Sequence, residues 1–334
     1  MQSKNGHAIT LGEFLFDRWL PAKERQLRFS TWISYRDIVR SRVVPRLGHL
    51  RLDEINGEKL NELYGELLAR GRADGRGSLS VRSVRYTHTV LSMALKDACR
   101  WGLLAANPAD AADPPRDSGV RVIDRAERIR TWSAGEVKGF LAHVSGHRLA
   151  PLFELAISTG MRRGELLGLR WENADLEAGR LSVTSSRVAT RHAVSESAPK
   201  TRNGRRSIEV DQGTVSILRS WRVRQAQERL ALGPSYADSG HVFTSELGKP
   251  LHPDLTSKLF DRLVGASGLS RIRFHDLRHT WATLALEAGV PAKIVSQRLG
   301  HSSIAITLDI YSHATPLMDR EAGEMVARLY RSTI

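Results

Sequence analysis

The side chains that could act on a phosphodiester lie between positions 162 and 311 of the 334-residue chain. In chain order they are Arg162, His275, Arg278, His279, His301 and Tyr311. Cleavage of a phosphodiester without a metal requires that the charge on the non-bridging oxygens is held, that a nucleophile lies in line, and that the departing oxygen receives a proton. Arginine suits the first task because its guanidinium stays charged and presents a planar fork of donors. Tyrosine can serve as the nucleophile.

Each of these residues also has an ordinary structural explanation. An arginine that follows a helix-ending glycine, as Arg162 follows Gly160, is commonly a surface charge, and a histidine beside a glycine, such as His301, is commonly a cap. A free phenol has a pKa of about 10, too high for a phenolate at neutral pH. Nearby cations would lower the pKa of Tyr311, and His275 could take its proton during attack. The combination, in order and in a basic chain, favours phosphate chemistry.

The bulk composition points to a polyanionic partner. The chain carries 50 Lys and Arg against 36 Asp and Glu, a formal charge of +14, and phosphates neutralised by such a surface release counterions. No apolar run approaches the roughly 18 residues that a membrane span needs, and the amino-terminal MQSKNGHAIT lacks the layout of a secretory signal. The single cysteine, Cys99, excludes an internal disulfide framework. We therefore expect a cytoplasmic protein without a membrane partner.

The apolar pattern of residues 1–107 predicts a small helical bundle. Thr10 and Glu13 form a T-x-x-E capping box ahead of the first helix. Ser30 is expected to cap the second helix, and the fourth helix is expected to run from Ser80 to Ala98.

The pattern changes after this bundle. Residues 108–130, rich in proline and arginine, are expected to form a basic linker that also follows a DNA backbone. In residues 131–316, APLFELAISTG predicts a buried helix ending at Gly160, and LSVTSSRVAT, RRSIEV and HVFTS predict strands. SESAPKTRNG is expected to be a hairpin loop, Pro253 suits the first turn of a helix, and the chain after Asp276 is largely helical. The predicted fold class is mainly α with a small β-sheet, an α+β catalytic domain behind a helical bundle.

Together these segments resemble the tyrosine recombinase (phage integrase) family. The first arginine box of that family is similar to residues 159–165, its H-x-x-R box to 275–278, and its L-G-H box to 299–301. Tyr311, ten residues after the last of these, stands where the family has its nucleophile. A shorter and less specific match places the hairpin lysine at Lys200 in PKTRNGRRSI. The resemblance covers nearly the whole chain, and the helices of residues 1–107 look like the core-binding, DNA-binding domain of the family.

The resemblance implies a role for each matched residue. Tyr311 would attack the scissile phosphate and form a 3′-phosphotyrosine link, releasing a 5′-hydroxyl. Arg162 and Arg278 would clamp the non-bridging oxygens. Lys200 would protonate the departing 5′-oxygen, and His275 would help to accept the tyrosine proton. The covalent link conserves the energy of the ester, so rejoining to a new strand needs no ATP.

Three further residues complete the implied site. His301 would hydrogen-bond the phosphate, Glu165 would orient the site from behind Arg162, and His279 is expected to be structural. The chemistry implied by the family uses neither a cofactor nor a metal. The implied function is site-specific DNA recombination or integration.

The carboxyl-terminal segment, residues 317–334, carries an apolar stripe at helical spacing, formed by Met318, Ala322, Met325, Val326 and Leu329. Periodicity alone favours docking on its own domain. The family resemblance instead implies a terminal helix passed to the next subunit of a homo-tetramer on paired recombination sites. Double-stranded DNA is the expected partner, and an accessory DNA-bending or directionality protein is a further one.

Three alternatives stay open at this point. A metal hydrolase could use His275 and His279, four residues apart, but Asp276 stands where the HExxH motif has glutamate, and Arg278 would sit beside the cation. A non-catalytic DNA-binding regulator would have lost catalytic positions, and none is missing. A type IB topoisomerase shares the chemistry but relaxes supercoils as a monomer. Only nine residues precede Thr10, so the chain is either a short class of integrase without an arm-binding domain or a piece of a longer one.

Overall fold

The computed structural model describes residues 9–72, 77–116, 130–190, 193–198, 204–301 and 303–311, with the backbone alone at 306 and 309–311. The chain divides into two compact units, one up to Gly119 and one from Val120. Most of the described residues are helical, and the strands form small antiparallel sheets in the second unit. The predicted fold class is therefore confirmed.

The first unit is helical. Its described α-helices are α1 (Leu11–Glu13), α2 (Leu20–Glu24), α3 (Phe29–Ile38), α4 (Val44–Leu47), α5 (Gly57–Arg70) and α6 (Val81–Arg100). The π-helical segments Phe14–Trp19 and Val39–Val43 make α1 continuous with α2 and α3 continuous with α4.

One of the two predicted helix caps is confirmed. Thr10 and Glu13 form the reciprocal capping box. Helix α6 begins next to Ser80, whose side chain accepts a hydrogen bond from the backbone N–H of Ser83. The prediction for Ser30 is wrong, because α3 begins at Phe29, one residue before Ser30, and its N-cap is Arg28. The backbone carbonyl of Arg28 already accepts the first helical hydrogen bonds, so Ser30 lies inside the first turn.

Among the described residues of the first unit, Asp97 is a buried charged group. The Asp97 carboxylate, on α6, accepts hydrogen bonds from Trp19 Nε1 at 2.9 Å and from Arg100 at 2.6 Å. Lys23 Nζ lies 2.8 Å from the same carboxylate. These contacts tie the first helical stretch to the last helix of the unit. A buried carboxylate is tolerated because all its neighbours are donors or cations.

The chain that follows α6 remains packed against the first unit for several residues. Pro108–Ala111 forms a 3₁₀ turn in which Ala109 is buried in the core. The backbone N–H of Asp113 donates to Asn61 Oδ1 at 2.7 Å. The first part of the predicted 108–130 linker thus packs with the helices, and 117–129 lie outside the described residues.

The second unit contains the remaining elements. Its described α-helices are α7 (Ala134–Val144), α8 (Ala150–Thr159), α9 (Arg163–Gly168), α10 (Gln212–Leu232), α11 (Pro253–Ser267), α12 (Asp276–Glu287), α13 (Ala292–Leu299) and α14 (Ile304–Tyr311). Its strands are β1 (Ala174–Asp175), β2 (Arg180–Val183), β3 (Ser186–Ala189), β4 (Val194–Ser197) and β5 (Arg206–Glu209). The antiparallel sheets have the orders β1-β2-β5 and β3-β4.

Aromatic side chains fill the core of this unit between α7, α8 and α11. The rings of Trp132, Phe140, Phe153 and Phe260 pack with centroids 5.0 to 6.0 Å apart. The backbone N–H of Trp132 donates to Thr280 Oγ1 on α12 at 3.1 Å. The segment that enters the unit is therefore fixed directly to the helix that carries the H-x-x-R box.

Two predicted strands and one predicted loop differ from the observed structure. LSVTSSRVAT forms two strands in different sheets, because the chain turns at Ser185, whose hydroxyl donates to the Gly168 carbonyl at 2.6 Å. Part of the predicted loop SESAPKTRNG is strand β4. HVFTS makes only isolated bridges, 170 with 241 and 244 with 250, because its Val242 backbone bonds to Leu169 and to the indole of Trp221 instead.

Candidate active site

Arg278 lies near the start of α12 and is almost completely buried, with 3% of its surface exposed. Its two terminal nitrogens donate to the carbonyls of Gly160, at 2.9 Å, and Leu299, at 2.7 Å. These carbonyls stand at the C-terminal ends of α8 and α13. Helix C-termini carry partial negative charge, so the two helix ends compensate the buried guanidinium and fix its plane.

The two helices end where they do because glycine follows them. Gly160 and Gly300 both adopt the left-handed conformation, with φ of 63° and 67°, which glycine reaches without steric cost. At Gly160 a side chain would also lack space, since a Cβ would lie 2.8 Å from Leu299 Cδ2 and 3.0 Å from the Trp281 ring. The predicted end of the helix at Gly160 is confirmed.

Arg162 is the N-cap of α9 and is 39% exposed. One terminal nitrogen donates to Glu165 at 2.8 Å, and the other donates to the Gly300 carbonyl at 3.0 Å. Because Arg278 holds the neighbouring Leu299 carbonyl, both predicted arginines are fixed to the same turn at the end of α13. The structure thus brings together two residues separated by more than a hundred positions in sequence.

Glu165 is buried behind this pair, with 3% of its surface exposed. It accepts hydrogen bonds from the Arg162 backbone and side chain, and both of its oxygens also accept from Arg206 on β5, at 2.9 and 3.2 Å. Burial raises the pKa of Glu165, but the hydrogen bond and charge of Arg206, together with Arg162, hold the pKa below its ordinary value. The carboxylate is therefore ionised at neutral pH.

Arg206 was missed by sequence reasoning. A signal existed, because Arg206 and the buried Ile208 share one face of β5 by the two-residue period of a strand. An arginine on the inward face of a strand needs a buried acidic partner. Nothing in the local sequence, however, identifies Glu165 as that partner.

The predicted histidines surround Arg278 and are held neutral at pH 7. Burial, then the charge of Arg278, holds the pKa of His275 below its ordinary value. Burial lowers the pKa of His279 to about 4, aided by His275, whose ring centroid lies 5.3 Å away. Burial, then Arg278 and Arg162, lowers the pKa of His301 to about 4. Neutral imidazoles can accept a proton or donate a hydrogen bond, as acid–base work requires.

His301 is oriented from the next helix. Its Nδ1 lies 2.8 Å from the hydroxyl of the buried Thr307 on α14. The backbone of α14 ends at Tyr311. The side chain of Tyr311, all of Lys200 and the segment 317–334 lie outside the described residues.

One of the alternative interpretations, a metal hydrolase, can be compared with this geometry. Among the described residues, no group of three His, Cys, Asp or Glu side chains could hold a metal ion. His275 and His279 lie close to each other, but the cation beside them is Arg278. None of the described helices combines the length and the hydropathy of a membrane span.

Comparison with known proteins places the chain in a family. Residues 133–318 match the phage integrase family, and residues 10–68 match its N-terminal SAM-like domain. A tyrosine recombinase XerC-like protein of Caldanaerobacter subterraneus is 30% identical, over 96% of this chain and 84% of the relative.

Solved structures share the fold. The Tn1549 transposon integrase in complex with a circular intermediate DNA superposes with a TM-score of 0.72 at 21% identity, over 95% of this chain and 99% of that one. A lambda integrase tetramer bound to a Holliday junction gives 0.62 at 20% identity, over 90% of this chain and 78% of that one. The chain therefore belongs to the phage integrase family of tyrosine recombinases, enzymes that break and rejoin DNA.

Proposed function

We propose that this enzyme is a site-specific recombinase that uses Tyr311 to cleave and rejoin DNA through a 3′-phosphotyrosine intermediate. The observation that carries the proposal is the attachment of Arg162 and Arg278 to one turn, through the carbonyls of Gly300 and Leu299. Arg278 is held by two neutral carbonyls, and Arg162 by one carbonyl and the Glu165 carboxylate. Both guanidiniums stay charged because arginine is not deprotonated in proteins. They form a preorganised site for the charge that grows on the non-bridging oxygens.

The proposed reaction exchanges one phosphoester for another. The Tyr311 oxygen bonds to phosphorus while the bond from phosphorus to the 5′-oxygen breaks. His275, neutral at pH 7, takes the phenol proton, and Lys200 gives a proton to the departing 5′-oxygen. Attack by the 5′-hydroxyl of another strand reverses these steps and releases the tyrosine. His301 hydrogen-bonds the phosphate throughout.

Glu165 and His279 have supporting roles in this proposal. Glu165 holds the Arg162 guanidinium in its plane through the 2.8 Å hydrogen bond. His279 packs edge-on against His275 with an interplanar angle of 89°, and so keeps the proton acceptor from rotating away. Neither is proposed to touch the reacting atoms, and no cofactor or metal takes part.

The first unit is proposed to bind duplex DNA together with the catalytic unit. Helix α6 exposes Arg82, Arg85, Tyr86 and Thr89 at spacings of three, four and seven residues, which form one solvent-facing stripe. Cationic and hydroxyl side chains in such a stripe suit phosphate contacts. The domain boundaries 1–107, 108–130, 131–316 and 317–334 remain part of the proposal, with the arginine-rich linker following the DNA backbone.

Assembly as a homo-tetramer on paired sites is proposed by analogy with lambda integrase, which forms a tetramer on a Holliday junction. The apolar stripe in 317–334 would provide the contact between subunits. An accessory DNA-bending or directionality protein is a further proposed partner. The reaction would take place in the cytoplasm, on phage or mobile-element DNA.

The proposal is tested by trapping the enzyme on DNA of unknown sequence. Purified protein is mixed with a pool of randomised duplexes, each nicked near the centre so that cleavage releases a short fragment that diffuses away. SDS-resistant complexes are recovered and their DNA is sequenced. We expect one shared sequence to be enriched, and we call this sequence the captured site. Recovery of covalent complexes without a shared sequence, together with relaxation of any supercoiled plasmid, would identify a topoisomerase instead.

A further inference from the structure

A closed ring of hydrogen bonds connects the phosphate-clamp arginine to the strand β5. Arg162 donates to Glu165 and to the Gly300 carbonyl, and Arg206 donates to the same Glu165. Arg206 Nε in turn donates to the carbonyl of Arg298, two residues before Gly300 at the end of α13. The ring therefore passes through α9, β5 and α13, and returns to Arg162.

Arg206 is the member of this ring with the most contacts to the other elements. Its side chain is only 8% exposed, and its two terminal nitrogens form a fork on the two oxygens of Glu165. The third nitrogen holds α13 through the Arg298 carbonyl. A lysine could make one of these bonds but not all three, because its ammonium is a single point of charge.

The elements joined by Arg206 carry the proposed catalytic groups. Helix α9 begins at Arg162, and the turn after α13 holds Arg278 and leads into His301. Strand β5 begins six positions after Lys200 in the sequence. A side chain that bridges these elements can fix the angle of the Arg162 guanidinium without touching DNA.

We propose that Arg206 is a positioning residue for strand cleavage, which sets the Arg162 guanidinium against the scissile phosphate through Glu165. The inference rests on the proposed role of Arg162 as a phosphate clamp. Without Arg206, Glu165 keeps Arg162 as its partner in the ring, but the carboxylate loses the fork that fixes its plane. Arg162, 39% exposed, then turns toward solvent.

The experiment compares Arg206→Gln and Arg206→Lys with the control Arg205→Gln, which removes the same charge from the adjacent, exposed arginine. The rate of covalent complex formation is measured in single turnover on the captured site. Each protein is assayed on a normal scissile phosphate and on a methylphosphonate, in which a methyl group replaces one charged oxygen. The clamp matters less on the methylphosphonate because there is less charge to hold.

On the normal phosphate we expect Arg206→Gln to be slower by about 10²-fold, as for a small misplacement of a catalytic group, with DNA affinity unchanged. Arg206→Lys should recover part of the rate, and Arg205→Gln should match the wild type. On the methylphosphonate, the ratio of wild-type to Arg206→Gln rates should fall toward one. If Arg206→Gln fails to fold, the same comparison is made with Arg206→Lys.

Equal slowing on both substrates would overturn the inference, because it would show that Arg206 only supports the fold. Unchanged rates on the normal phosphate would also overturn it. Arg162→Ala, run in parallel, separates this inference from the proposed function. If Arg162→Ala shows no difference between the substrates, the clamp itself is wrong. If Arg162→Ala shows the difference and the Arg206 variants do not, only the role of Arg206 fails.

Discussion

Replacing Gly160 by alanine tests how tightly the active-site arginine is held. Gly160 has φ of 63°, and a Cβ there would lie 2.8 Å from Leu299 Cδ2 and 3.0 Å from the Trp281 ring. Gly268, which ends α11 with φ of 74°, has the same backbone strain but no heavy atom within 4 Å of its Cβ position. The two positions therefore separate strain from crowding within one folded unit.

The expected free energies follow from these two contributions. Alanine in the left-handed region destabilises by about 1 to 2 kcal/mol, which is the whole effect expected for Gly268→Ala. Crowding against a packed core adds about 1 to 3 kcal/mol. Gly160→Ala should therefore destabilise the second unit by about 2 to 5 kcal/mol in total.

The assay is urea unfolding read by hydrogen exchange of peptides from the second unit, with peptides of the first unit as an internal reference. The Gly160 carbonyl also holds Arg278 at 2.9 Å, so Gly160→Ala should slow covalent complex formation in folded protein, whereas Gly268→Ala should not. Equal loss of stability in the two variants would contradict the prediction that crowding adds to strain at Gly160, because it would mean that Leu299 and Trp281 move aside freely.

Further predictions concern the rest of the molecule. Asp97→Asn should destabilise the first unit by about 3 kcal/mol at pH 7, because it leaves the mostly buried Lys23 ammonium without its carboxylate. Burial raises the Asp97 pKa, but hydrogen bonds from Lys23 and Trp19 hold it below its ordinary value. The difference in stability between wild type and Asp97→Asn should therefore persist at neutral pH and shrink as pH falls below about 4. A difference in urea unfolding that does not change with pH would contradict this role of Asp97. Lys200→Ala should slow cleavage by about 10²-fold or more, and a 5′-thio leaving group, which needs no proton, should restore the rate; no restoration would exclude Lys200 as the acid. Deleting 317–334 should weaken assembly on paired captured sites more than binding to one site in a gel-shift assay, and equal losses would count against an exchanged segment.

Local signals in the sequence predicted much of the fold. The capping box at Thr10, the start of a helix beside Ser80 and the helix end at Gly160 depend on residues a few positions apart, and each was predicted correctly. Ser30 was predicted as the N-cap but is the second residue of α3, because several polar residues near a helix start satisfy the same rule. Such errors change a boundary and leave the element in place.

Long-range contacts explain what the sequence could not predict. The break between β2 and β3 depends on the Ser185 hydroxyl meeting the Gly168 carbonyl, seventeen residues away. HVFTS has the composition of a strand, but its backbone partners come from Leu169 and Trp221. A propensity rule cannot identify partners that only the assembled unit brings close.

The same limit applies to the candidate site. The order of the motifs identified Arg162 and Arg278, and the structure adds that both attach to the turn after α13. Arg206 carries no motif, and its importance follows from the fork it makes on Glu165, 41 residues earlier in the chain. Residues that position others are found through their contacts rather than through their sequence context.

The proposed reaction depends on a covalent link between Tyr311 and DNA. The most direct measurement incubates wild-type and Tyr311→Phe protein with the nicked captured site, labelled on the 3′-phosphate side of the scissile bond, and maps the labelled peptide after SDS and protease treatment. We predict an SDS-resistant adduct on the peptide that contains Tyr311, and none with Tyr311→Phe despite normal DNA binding. An adduct that survives in Tyr311→Phe, or a label on another residue, would contradict it.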